Sequence, residues 1–361
     1  MLKKQLRNSA IAELLAVAAE SAKMPLQKAL RRASRKALFW EEEASVLLEH
    51  NRSLSDELPG VGQSLDRIIR RWMDDPPDTP KVPEIRSNFL TLTEARAILA
   101  KSKSEPAKGD LQMHSVWSDG SGSIEDMARA AIGRGYEYIA ITDHSKGLKI
   151  AGGIDEQQLD QQATEIEQVN ARLQVEGLKF RVLRSIELNL DPRGDGDMES
   201  SALRKLDVVL GCFHSALRKK EDQTDRYLAA LRNSDIQIVG HPCGRIYNFR
   251  LGLSADWERV FDLAAELDKA VEIDAYPDRQ DLSTDLVKLA SKAGCRISLG
   301  TDAHDPLQLR FMEYALASAV KAGVPKERIL NFMSFDELRA WVARLRDAEP
   351  RGRQERLRPT G

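Results

Sequence analysis

Apolar and charged positions alternate at helical spacing through SAIAELLAVAAES (9–21) and MPLQKALRRASRKALFWEEEASVLLEH (24–50), which predicts helices over both stretches. The pattern continues through LSDELPGVGQSLDRIIRRWM, interrupted by a Pro/Gly turn. DDPPDTPKVPEIRS then brings four prolines and reads as a linker, followed by a short helix around Thr93–Lys101. From Asp110 the texture changes. Seven β-branched runs, near 110–114, 138–142, 180–187, 207–213, 236–240, 270–274 and 296–301, predict strands. Helical stretches such as SIEDMARAAIGRG, DEQQLDQQATEIEQVNARLQ and WERVFDLAAELDK lie between most of them. Strand and helix in alternation predict parallel βα units, as an open sheet or a closed barrel. The polar tail RGRQERLRPTG is expected to be disordered.

Composition changes this picture little. A chain of 361 residues accommodates one large domain and a smaller one. A formal net charge of −2 gives no global attraction to nucleic acid or membrane, so anion binding must be local. Cys212, Cys243 and Cys295 form no CxxC pair, which argues against a disulfide scaffold or a cysteine zinc site. Cys243, beside His241, reads as a reactive thiol or, preferably, as a small buried residue. The N-terminus lacks a signal-peptide pattern and no apolar run approaches ~18 residues, so a soluble, cytoplasmic protein without a membrane partner is expected.

The chemistry gathers at strand ends. Of six histidines, His50 is expected to be a solvated helix residue, while each of the other five closes a predicted strand. These are His114 in DLQMH, His144 in YIAITDH, His214 in VVLGCFH, His241 in IQIVGH and His304 in ISLGTDAH. Glu187 ends FRVLRSIE, Asp302 ends ISLGTD, and Asp119 sits in the Gly/Ser-rich loop after His114. Gln112 and His114 alternate, so in a strand both leave one face. In parallel βα architectures the carboxyl ends of strands converge on one face, where functional groups collect. Imidazole with carboxylate suits Zn²⁺, Mn²⁺ or Fe²⁺. Eight candidate ligands exceed one ion's needs, so two or three divalent ions are expected, with Glu187 as candidate bridge. Such a cluster activates water and clamps a phosphoryl group, which makes phosphoester hydrolysis the leading reaction, ahead of amide or deamination hydrolysis. Arg245 in HPCGR, Arg279 in YPDR and Lys146 in DHSK follow strand ends and read either as phosphate contacts or as surface charge.

In their order, DLQMHSVWSDG, ITDHS, the Glu187 strand, CFHS, GHPCGR and LGTDAH resemble the polymerase-and-histidinol-phosphatase (PHP) family. More closely, they resemble the PHP domain at the C-terminus of bacterial family X DNA polymerases, over roughly Gly109 to Leu345. The resemblance implies a distorted seven-stranded βα (TIM-like) barrel with a trinuclear metal site. Its ligands would be His114, Asp119, His144, Glu187, His214, His241, Asp302 and His304. The family's first motif normally begins with His where this chain has Gln112, a weaker ligand at the margin of the site, and bacterial family X polymerases often share that Gln. Glu187, Asp302, His304, Arg245 and Arg279 are the expected catalytic set.

LPGVG resembles the hairpin of a helix-hairpin-helix motif. Leu58, Gly60, Val61 and Gly62 would let backbone amides meet a phosphate at the next helix N-terminus, without reading bases. A plain turn between packed helices is the alternative. Arg67, Arg70 and Arg71 on the next helix, and five cations in KALRRASRK (Lys28 to Lys36), favour DNA. Residues from about Asn8 to Trp72 resemble, more weakly, the small N-terminal domain of family X polymerases. Ile68 stands where that family's lyases carry a Schiff-base lysine, and Ser64 where a phosphate-binding lysine lies, so no lyase activity is expected. Too few residues separate Trp72 from Asp110 for a polymerase palm.

The expected organisation is a small all-α helix-hairpin-helix domain (1–75), a linker with a short helix (76–108), the PHP barrel (109–346) and a tail (347–361). The leading function is a metal-dependent phosphoesterase at DNA 3′ ends, an exonuclease or 3′-phosphatase in DNA repair, with no nucleotide cofactor. The alternatives are a small-molecule phosphatase of histidinol-phosphate type, and a DNA-binding module with a structural PHP barrel.

Overall fold

The computed structural model describes residues 6–102 and 104–347. The first part is helical, with α1 (Asn8–Ser21), α2 (Leu26–Lys36), α3 (Ala44–Glu49), α4 (Leu54–Glu57) and α5 (Gln63–Asp74). Their apolar stripes meet in one core that includes Ile11, Leu15, Leu30, Trp40, Leu47, Leu54 and Ile69. The helix expected over 24–50 is broken between α2 and α3. The break has local causes. The Trp40 indole N–H donates to the Pro59 carbonyl at 3.1 Å, which draws the chain inward. Glu43 accepts from the Asn8 N–H at 2.7 Å, and Asn8 Oδ1 accepts from the Ala44 N–H at 2.9 Å. The starts of α1 and α3 thus satisfy each other's open backbone donors. LPGVG joins α4 to α5, with Leu58 and Val61 in the core. Gly60 has φ +86°, and a Cβ there would lie 3.2 Å from the Lys36 side chain.

The proline-rich segment is held on both sides. The Arg86 guanidinium meets both carboxylate oxygens of Glu13 at 2.8 and 2.9 Å and donates to Asn248 Oδ1 at 3.0 Å. The Arg86 and Glu13 side chains are only 7% and 3% exposed. The Thr93 hydroxyl donates to Glu43 at 2.6 Å, from the first turn of α6 (Leu92–Ser102). Directly between the two larger parts, the Ser34 and Tyr247 hydroxyls lie 3.1 Å apart, and Phe39 packs edge-on to Tyr276 and Phe311.

The remainder is an α/β fold of short parallel strands. They are β1 (Gly109–Asp110), β2 (Tyr138–Ile141), β3 (Arg181–Arg184), β4 (Glu187–Asn189), β5 (Leu210–Cys212), β6 (Ile238–Val239), β7 (Ala270–Asp274) and β8 (Arg296–Gly300). They form two sheets, ordered β1-β2-β3 and β4-β5-β6-β7-β8. The single strand expected over 180–187 is two: β3 pairs with β2, and β4 pairs with β5. At the break, the Ser185 hydroxyl donates to the Val208 carbonyl at 2.8 Å, so the chain changes partners without losing its hydrogen bonds. Isolated parallel bridges, His144 to Glu187 and Met113 to Ala303, link the sheets along both seams.

Helices α7 (Ile124–Gly133), α8 (Glu156–Val175), α9 (Ser200–Leu203), α10 (Thr224–Arg232), α11 (Trp257–Glu266), α12 (Thr284–Ala293), α13 (Met312–Ala322) and α14 (Phe335–Asp347) complete the chain. Capping boxes start α7 (Ser123 with Asp126) and α8 (Asp155 with Gln158). Strand residues alternate between two apolar clusters: Ile139 and Ile141 join the larger one under the helices, while Tyr138 and Ala140 join a smaller inner one. Trp341 and Leu338 of α14 close that inner cluster, which leaves the strands' carboxyl ends to polar chemistry. Among the described residues no helix is long and apolar enough to cross a membrane. The tail from residue 348 onward lies outside the described residues.

Candidate metal centre

Each strand end delivers its side chain to one point because the parallel strands run the same way, and Glu187 at the start of β4 is that point. His214 Nε2 and His241 Nε2 lie 2.8 and 2.7 Å from its Oε1. His114 Nε2 and His144 Nδ1 lie 3.2 and 3.5 Å from its Oε2. His114 also lies 3.0 Å from Asp302, and its ring is sandwiched between those of His144 and His304 at 4.4 and 4.3 Å. Asp119 is the outermost member, 3.5 Å from His144 and 3.3 Å from His304. Glu187 and His114 are buried, whereas the Asp119 side chain is 37% exposed. The cluster therefore opens to solvent at Asp119.

Four groups of potential ligand atoms lie within 4.8 Å of one another: His114/Asp119/His144/His304, His144/Glu187/His214, Glu187/Cys212/His241 and His114/Glu187/Asp302. Glu187 belongs to three of them, which gives it the geometry of a shared ligand. All eight expected ligands are brought together here, although Glu187, expected to end a strand, instead starts β4 because the run over 180–187 splits in two. Gln112 is too: its Nε2 lies 3.3 Å from Glu187, while its Oε1 is buried without a partner. His114 Nδ1 and His144 Nδ1 are likewise buried without hydrogen bonds. Orphaned buried acceptors beside three carboxylates fit divalent cations, which would satisfy both lone pairs and charge. The centre can hold several such ions.

Protonation reflects this crowding. Burial alone would raise the Glu187 carboxyl, but the imidazoles, His144 and His241 first, hold it well below the usual range. Burial opposes a charge on His241, yet Glu187 holds it up at about 10. Burial pushes His144 down to about 4, against the pull of Glu187. Asp302 would be raised by burial, but the Arg279 guanidinium, with which it pairs, depresses it. Arg279 also stands 3.8 Å from Asp274 and remains charged. His241 and Asp302 have φ of +24° and +51°, left-handed conformations that store of order 1–3 kcal/mol each.

Several supporting residues were not singled out from the sequence. Asp143 accepts from the Ser115 N–H and hydroxyl (2.8 and 2.6 Å), the Ser118 hydroxyl (2.6 Å) and Gln162 (2.7 Å), which fixes the loop between His114 and Asp119. Asn189 lies 3.1 Å from His214 Nδ1 and orients that ring. Glu272 accepts from the His241 N–H at 2.7 Å, and burial pushes its carboxyl up to about 8. Cys212 sits beside Glu187 and His241, although the cysteines had been set aside as ligands. One signal was available: VEID places two carboxylates, Glu272 and Asp274, at alternate positions of an otherwise apolar strand.

Other expected site residues lie elsewhere. Arg245 does not face the cluster's carboxylates: it donates to the Ser87 carbonyl at 2.7 Å and lies over the Phe89 ring at 3.9 Å. It fastens the proline-rich segment, because proximity to a strand end does not set side-chain direction. Lys146 pairs with Glu156 at 2.7 Å, and Cys243 is buried. In the first part, Gly60 and Gly62 are exposed, as are Arg67 and Arg71, which make no ion pair among the described residues. Arg70 is bound to Asp66 one turn back and donates to the Arg52 carbonyl at 3.2 Å.

Residues 110–277 match the PHP domain family. The chain is 37% identical over 263 residues to the DNA polymerase/3′-5′ exonuclease PolX of Bacillus subtilis (strain 168), across 73% of this chain and 45% of that protein. It thus spans less than half the length of that relative. It is 28% identical over 234 residues to a probable phosphatase of Thermoanaerobacter sp. (strain X514), across 62% of this chain and 89% of the relative. Among solved structures, the histidinol phosphate phosphatase of Lactococcus lactis, complexed with zinc, L-histidinol and phosphate, covers 61% of this chain and 95% of its own, at 20% identity and a TM-score of 0.45.

Proposed function

Because residues 110–277 form a PHP domain, we propose that the protein is a metal-dependent phosphoesterase acting on the 3′ ends of DNA, as an exonuclease or a 3′-phosphatase. The observation that carries this reading is the convergence of four imidazoles on the Glu187 carboxylate, all within 3.5 Å, in a cluster exposed to solvent at Asp119. We read the two parallel sheets as one distorted barrel, with this centre at its mouth. The eight clustered residues would hold two or three ions, Mn²⁺, Zn²⁺ or Fe²⁺, with Gln112 contributing its free carbonyl oxygen. Divalent ions there supply Lewis acidity, making water nucleophilic near neutral pH and neutralising charge on a phosphoryl group.

The chain's own residues do the rest. Glu187 and His114, shared among groups, keep the ligands at fixed spacing. Arg279 stays charged and sits on the Asp302 side of the cluster, where it can offer N–H donors to a phosphoryl oxygen. Asp119 and His304, at the open edge, face the incoming ester. Arg245 holds the linker rather than the phosphate. The exposed amides of Gly60 and Gly62, with Arg67 and Arg71, are the proposed backbone grip of the first domain; Leu58 and Val61 support that turn from the core, and Arg70 is largely committed to Asp66.

The test is Mn²⁺-loaded protein with 5′-labelled oligonucleotides ending in 3′-OH or 3′-phosphate. The expected result is shortening of the first or dephosphorylation of the second. Rapid hydrolysis of histidinol phosphate with both oligonucleotides intact would favour the small-molecule reading, which the alignment along most of a probable phosphatase supports.

A further inference from the structure

We propose that the loop Ala216–Glu221, through Arg218, Lys219 and Lys220, and the ring of Phe249 form a binding site for a single nucleic-acid strand beside the metal centre. The cations would take consecutive phosphates and the ring would take a base. This rests on the DNA reading above and names the strand's path.

The loop starts two residues after His214, so it stands at the mouth by construction. Arg218, Lys219 and Lys220 are all exposed, and none makes an ion pair among the described residues. Three adjacent cations without an ion pair maintain a local positive potential. They line an open concavity of about 490 Å³ with Ala216 and Glu221. The positive character continues inward: Arg250 is disfavoured as a cation first by burial and then by the charges of Arg279 and Arg218. Arg279, in turn, pairs with Asp302 of the centre.

Phe249 supplies the second, independent observation. Phe249 is 59% exposed, and neighbouring Leu251 is 54% exposed. The Arg218 guanidinium lies over the Phe249 ring at 4.9 Å. The ring is held out by a braced loop: the Asn248 N–H donates to the Ile85 carbonyl at 3.1 Å, and Asn248 Oδ1 accepts from Arg86 at 3.0 Å. The Ile246 N–H donates to the Arg250 carbonyl at 2.8 Å, and the Arg250 N–H returns to Ile246 at 3.0 Å. Burying a phenyl ring would stabilise the fold, yet this one is presented to solvent on a rigid base. A free phosphate would use the cations and ignore the ring. A duplex hides its base faces. A single strand offers phosphates and base faces together, which is the combination found here.

The experiment uses the full chain loaded with Mn²⁺, a 5′-labelled single-stranded oligonucleotide, and p-nitrophenyl phosphate to report the centre itself. The triple variant Arg218→Ala/Lys219→Ala/Lys220→Ala should raise KM for the oligonucleotide about tenfold or more and flatten its salt dependence by about 0.7 per cation lost. Phe249→Ala should raise the same KM by roughly tenfold, and Phe249→Trp should restore it. Hydrolysis of p-nitrophenyl phosphate should move less than twofold in all of them. The double variant Lys219→Ala/Lys220→Ala guards against misfolding and should show an intermediate effect. If the unmodified protein cleaves the oligonucleotide and the variants do so with unchanged KM, the site is refuted while the DNA reading stands. If the unmodified protein hydrolyses only the small ester, the DNA reading fails and takes this site with it.

Discussion

In the candidate metal centre, Glu187 shares its two oxygens among four imidazoles, so loss of its charge would be felt by all four. In the helical first part the cations stand apart: Arg67 and Arg71 are exposed on α5 and make no ion pair among the described residues. The first arrangement is cooperative and expensive in low dielectric, and it demands cations to balance it. The second is additive and screened by salt. Changes in the cluster should therefore act all at once, and changes on α5 one charge at a time.

The sharpest break of this contrast is Glu187→Gln. It keeps the shape, removes the shared charge, and should lower turnover by about 10³-fold or more, with metal content falling in elemental analysis. Retained activity with full metal content would make Glu187 a bystander. Next in size is the joint between the regions. Arg86→Ala leaves Glu13 buried without its partner and should cost about 3 kcal/mol in urea denaturation, far more than an exposed ion pair would. A loss below 1 kcal/mol would mean that water reaches Glu13 when the guanidinium is gone.

Metal removal tests the cooperative side directly. Mn²⁺ at a hundred times its dissociation constant should stabilise the chelator-stripped protein by about 2.7 kcal/mol, read from the denaturation midpoint. No shift would mean that the unfolded chain binds Mn²⁺ as well as the folded cluster does. The smallest effect belongs to α5. Arg67→Ala and Arg71→Ala should each reduce the salt slope of duplex binding by about 0.9, whereas Arg70→Ala, already paired with Asp66, should change it less. Equal losses at all three positions would mean that DNA outcompetes Asp66.

Residue type carried much of this into the sequence, but direction and partnership were less visible. Histidines that close apolar runs announce their meeting place, because a parallel strand delivers its last side chains to one face. The alternation of α and β segments likewise announced parallel sheets. The split at Ser185 was invisible, since the β-branched pattern of RVLRSIE runs straight through it. So was the interruption at Trp40, where one indole hydrogen bond overrides a continuous helical period. Arg245 shows the same limit in the site: sequence places it past a strand end, but only packing turns it toward Phe89. Cys212 and Asp143 were passed over because a lone thiol or carboxylate carries no pattern until the fold supplies its neighbours.

The brace around Arg86 has a consequence for size. Four prolines suggested a tether, whose two ends would wander and whose reach would be a distribution. Held instead by Glu13 and Asn248, the segment sets one separation between the turn at Gly60 and the opening at Asp119. On the proposed function that separation acts as a ruler. A strand anchored at both places stays anchored until it becomes shorter than the gap, and then loses one hold in a single step. Digestion should accordingly stall at a defined length, and Arg86→Ala should blur that edge into a taper.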